Sequence, residues 1–150
     1  VTPQKVVEGH KVTDKNTLES AIETIEAGYE FLLAYAAQGR PAGVESGPGP
    51  HAQPTIHGMA TAMQALITAF ESSSDAFEKV IAEDCAKASA ALNFILKQNK
   101  IGSEMVDNLN ASIHLRAVLT DLFLYSEVLK PSTAEDLATP SAVQTYDAAN

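Results

Sequence analysis

The chain has 150 residues, 45% of them apolar and 19% charged, enough for one folded domain with a buried core. Its net charge is −9, and of ten basic residues only Arg40 and Arg116 are arginine, which argues against binding nucleic acid or an anionic membrane surface. A single cysteine, Cys85, excludes an intrachain disulfide and a cysteine-based zinc cage. No apolar run reaches the roughly 20 residues of a membrane span.

Residues 1–12 (VTPQKVVEGHKV) hold Pro3 and Gly9 without periodicity and read as an extended lead-in. The start at Val1 rather than Met is a hint of export, and the composition suits a cytoplasmic, periplasmic or secreted protein equally. Thr13 or Asp14 then caps a first helix over 14–38, in which Leu18, Ile22, Ile25, Tyr29, Leu32 and Ala36 alternate spacings of four and three. Gly39 supplies its left-handed stop. Glu19, Glu23, Glu26 and Glu30 run beside that seam, either as a solvated face or as ligands of a cation.

Residues 39–54 carry four of the seven prolines and half of the eight glycines, so a long irregular connection is expected there. The next helix runs over 55–72 with Thr55 as its cap. It has a core stripe of Ile56, Met59, Met63, Leu66 and Phe70, and a small-residue stripe of Gly58, Ala62, Ala65 and Ala69. Two stripes predict neighbours on two sides. After Ser72-Ser73-Ser74, Asp75 and Glu78 have capping-box spacing for a helix over 75–98. Its core face is Phe77, Ile81, Ala88, Leu92 and Ile95. Asp84 and Cys85 fall where one more core residue belongs, and an inert buried thiol is the expectation for Cys85.

Gly102 and Ser103 predict a stop and a cap for the longest helix, 103–130, ended by Pro131. Its core seam is Met105, Leu109, Ile113, Ala117, Thr120 and Leu124. Another side carries Asp107, Asn110, His114, Asp121 and Tyr125 at helical spacing. A histidine among carboxylates is the chemistry of a divalent-metal site or an acid–base pair, so Asp107, His114 and Asp121, with His57 near the long loop, are the metal-ligand candidates. Leu119, Leu122, Phe123, Leu124 and Val128 make the end of this helix apolar nearly all round, which suits an interface with another chain. Residues 131–150 read as a tail with a short helical turn over 132–138.

These elements predict an all-α four-helix bundle with a long Gly/Pro-rich loop between helices one and two. Glu23-x-x-Glu26 and Glu104-x-x-Asp107 have the form of the paired acidic motifs of all-α nucleotide pyrophosphohydrolases. In that family the two motifs lie close in sequence, and here they do not. Neither His57 nor His114 is followed by the Lys and Gly of histidine phosphotransfer domains. Gly47-Pro48-Gly49 lacks the Gly-Lys-Ser/Thr of a phosphate loop, and the ligand set of di-iron bundles is absent. The expected function is a non-enzymatic binding or assembly protein, a homo-oligomer or the partner of a larger protein. The alternatives are a metal-dependent hydrolase or lyase using Asp107, His114 and Asp121, and an extracytoplasmic small-molecule sensor bundle.

Overall fold

Alanine, leucine and isoleucine at spacings of three and four leave these segments one way to bury their apolar side, as helices packed on helices. A computed structural model describes residues 15–42 and 51–129, and over them the fold is all-α. The helices are α1 (Lys15–Ala37), α2 (Ala52–Phe70), α3 (Ala76–Leu96), α4 (Ser103–Asn110) and α5 (Ile113–Leu129). The lead-in, the caps at Thr13 and Asp14, loop residues 43–50 and the tail from residue 130 lie outside the described residues.

Helix α2 is held on both sides, by α1 and by α3. Helix α4 packs on α1, and α5 packs chiefly on α3. One core joins them all, with Ile25, Leu32, Met59, Met63, Leu92, Leu115 and Leu122 among its fully buried members. The approach of α1 to α2 depends on Gly28. A Cβ there would overlap the Cγ and Sδ of Met59, so the two backbones come close only because residue 28 has no side chain. Of the small-residue stripe predicted for α2, Ala62 is buried but Ala65 is exposed, and the small residue that sets the spacing lies on α1 instead. Replacing Gly28 by Val is expected to cost about 1–3 kcal/mol through overpacking, read as a lower denaturation midpoint. Adding Met59→Ala should recover part of that loss.

The ends of the elements correct three sequence expectations. Helix α2 begins at Ala52, not Thr55, and Pro54 sits in its first turn, where an amide has no helical partner to lose. Thr55 is then a helical residue whose hydroxyl donates to the His51 carbonyl at 2.7 Å. Asp75 does cap α3, its Oδ1 accepting from the amides of Phe77 and Glu78, both at 2.9 Å. The return arm of the box is missing, because the Asp75 amide donates to the Ser73 Oγ and the Glu78 carboxylate is engaged elsewhere. Ser103 is not the cap of α4 but its first residue, with Gly102 in the cap position.

Ser103 instead clasps α4 to the end of α1. Its hydroxyl donates to the Tyr35 carbonyl at 2.7 Å and accepts from the Arg40 amide at 2.8 Å, while its own amide donates to the Arg40 carbonyl at 3.0 Å. Together these meet backbone groups left open where α1 stops at Gly39, which takes a φ of 63°. The Tyr35 hydroxyl, wholly buried, donates to the Ile101 carbonyl at 2.8 Å.

The single helix expected over 103–130 is broken at Ala111–Ser112. Asn110 turns inward and its amide donates to the Leu32 carbonyl at 3.0 Å, fixing the end of α4 on α1. The Ser112 amide bonds back three residues to Leu109 rather than four, tightening the last turn, and α5 then leaves to cover α3. Asn and Ser are weak helix formers whose side chains compete for backbone partners, so the break falls where it costs least.

Candidate functional site

Helix α5 is the element with two chemically distinct sides. Inward, against α3, it carries a polar seam in an otherwise apolar core. The Tyr125 hydroxyl donates to the Glu78 Oε2 at 2.6 Å, and the Ser73 hydroxyl donates to the Glu78 Oε1 at 2.6 Å. Both oxygens of that carboxylate are therefore used. The Tyr125 ring packs edge-on against Phe70, with centroids 5.4 Å apart. Burial, and then the hydrogen bond to Glu78, hold the Tyr125 phenol protonated well above its usual range.

One turn back along α5, Asp121 meets Asp84 of α3. Burial pushes the Asp121 carboxyl up to about 7, and the neighbouring carboxylate of Asp84 adds to that. Two carboxyls in one desolvated place cannot both ionise cheaply, and here the proton is held on Asp121. The Asp121 Oδ2 is buried with no hydrogen-bond partner. Beside the pair lies Cys85, wholly buried, its thiol pushed up to about 12 by burial and by the charges of Asp121 and Asp84. Such a thiol is neither a nucleophile nor a ready metal ligand.

The polar line predicted on the 103–130 segment is thus taken apart by the break after Asn110. Asp107 and His114 are exposed, Asn110 is buried against α1, and only Asp121 and Tyr125 face α3. His57 is exposed on α2. Among the described residues no group of three or more His, Cys, Asp or Glu is placed to hold a metal ion. The acidic line of α1 has Glu23 and Glu30 exposed, and Glu19 lies 3.8 Å from Lys15. A cleft of about 710 Å³ opens at the far end of α3, lined mainly by apolar atoms of Phe94, Ile95, Met105 and Leu109 with Arg40 and Glu104 at its edge. It includes no residue of the acid pair.

Sequence reasoning missed Asp84 and Glu78 as partners of the α5 residues. The signal was present in the two polar residues, Asp84 and Cys85, at a core position of α3. Only the antiparallel packing of α3 and α5 pairs them with Asp121.

The outer side of α5 is apolar and open. Ile113 is 71% exposed, Phe123 54%, Leu124 59% and Val128 77%. Leu119 and Leu122, expected in the same interface, are instead buried and fill the core of their own chain. Of the five residues expected at an interface, Phe123, Leu124 and Val128 are exposed on the outer side of α5, together with Ile113. Among the described residues no helix is long and apolar enough to cross a membrane. No protein-family profile matches the chain, and no curated protein or solved structure resembles it.

Proposed function

We propose that the protein is a non-enzymatic helical association module that buries the outer face of α5 against a helix of another chain. One observation carries this: four large apolar side chains, Ile113, Phe123, Leu124 and Val128, stand more than half exposed on a single helix. Scattered apolar residues are ordinary on a surface, but a row of them along one helix is the signature of a contact face. Hydrophobic burial at about 25 cal/mol per Å² supplies the driving force. In this arrangement α4 and α5 act as one broken fourth member of a four-helix bundle, and the partner helix extends the packing outward from α5.

Sedimentation velocity of the full chain at increasing concentration tests this directly. The wild-type protein is expected to sediment above monomer mass, and a Phe123→Glu/Leu124→Glu variant with an unchanged circular dichroism spectrum as a monomer. Identical sedimentation of the two proteins at every concentration would overturn the proposal.

A further inference from the structure

Resting on that reading of α5, we infer that the partner is a second copy of this chain, its α5 laid antiparallel across the first about a two-fold axis. The outer face determines both the partner and the direction. At about 100° per residue, Arg116, Thr120, Phe123 and Glu127 fall on one flank of the face, and Ala117, Leu124 and Val128 on the other. Arg116 and Glu127 are both exposed and lie about three helical turns apart on the same flank.

A two-fold axis perpendicular to antiparallel helices brings like flanks together. With the axis level with Asp121–Leu122, Arg116 of each copy meets Glu127 of the other, so one choice of register forms two ion pairs. The same register sets Thr120 against Phe123 at the centre. It also seats the small side chain of Ala117 between Leu124 and Val128 of the second copy, as a knob-and-hole contact requires. Parallel pairing does the opposite. It brings unlike flanks together, so Arg116 and Glu127 of each copy lie against the Ala117, Leu124 and Val128 flank of the other and neither ion pair forms. For a chain of net charge −9, whose copies repel at a distance, a self-complementary charge pair is what allows the apolar centre to close.

Charge reversal on the full chain tests partner and direction together, with sedimentation velocity as the readout. Arg116→Glu alone and Glu127→Arg alone are each expected to weaken association about tenfold or more, since a reversal spoils two symmetric contacts. The double variant Arg116→Glu/Glu127→Arg restores both pairs and should return affinity to within about threefold of wild type at low salt. Flat single reversals, or a double variant no better than the singles, overturn the antiparallel pairing. If those results come with association that Phe123→Glu/Leu124→Glu still abolishes, the contact face and the second copy stand and only the antiparallel direction is wrong. A wild-type monomer at every concentration removes both.

Discussion

Leu122→Ala is expected to lower the unfolding free energy by about 2–5 kcal/mol, whereas Leu124→Ala, two residues on, changes it by no more than about 0.5 kcal/mol. The two side chains are identical and nearly adjacent, and the difference is entirely one of surroundings. Leu122 is completely buried among α3 and α5 core residues, so truncation leaves a cavity that close-packed neighbours fill only partly. Leu124 is 59% exposed in the single chain, and its removal takes little surface out of a packed environment. Urea unfolding at a protein concentration low enough to keep the chain monomeric measures both. In sedimentation the order reverses, because Leu124→Ala weakens association. Equal destabilisation by the two variants would mean that α5 does not present the face described above.

The second large effect is on the dependence of stability on pH. Asp121 holds its proton more tightly in the folded chain than in the unfolded one, because burial and Asp84 both disfavour its charge. Its contribution to stability is therefore complete below about pH 4, the ordinary carboxyl value, and is lost as pH rises through about 7. Part of the carboxyl faces water, which reduces the full linkage to about 1–2 kcal/mol. For a chain of this length that is a fall in Tm of about 3–6 °C between pH 5 and pH 8. Asp121→Asn keeps the shape and the hydrogen-bonding capacity but removes the titration. Its Tm should change by less than half as much over the same range, and at pH 8 it should exceed that of the wild type. Differential scanning calorimetry across the range checks this, and parallel curves for wild type and variant would show that the pair does not titrate there. The general repulsion of a chain at −9 also grows with pH, but it acts alike on both proteins.

Both predictions concern the segment over 103–129, where sequence and structure part furthest. Periodicity identified little of its core: of the expected seam of Met105, Leu109, Ile113, Ala117, Thr120 and Leu124 only Leu109 is buried, Ile113, Thr120 and Leu124 are exposed, and Leu115, Val118, Leu119 and Leu122 fill the core instead. The same periodicity could not show the break at Ala111–Ser112. A helical repeat runs through that point undisturbed, and the break arises because α4 must lie on α1 while α5 lies on α3. Asn110 looked like one more member of a polar line. It is instead the residue that ties the turn to the Leu32 carbonyl, a bond between groups 78 positions apart in the chain.

By itself the sequence determined that this protein is all-α, where α1 ends, that α3 is capped at Asp75, and which stripes of α1, α2 and α3 form the core, because these follow from local propensity and from the 3.6-residue repeat. It also marked α3 and the last helix as the places where polar groups interrupt an apolar seam. Only the tertiary structure decided what those groups meet. It paired Asp121 with Asp84 and Tyr125 with Glu78, dispersed Asp107 and His114 to the surface, and split the predicted interface into Leu119 and Leu122 inside and Phe123, Leu124 and Val128 outside. The reason is physical: a helical repeat specifies which residues share a face, but the neighbour that covers that face is chosen by packing between segments far apart in the chain.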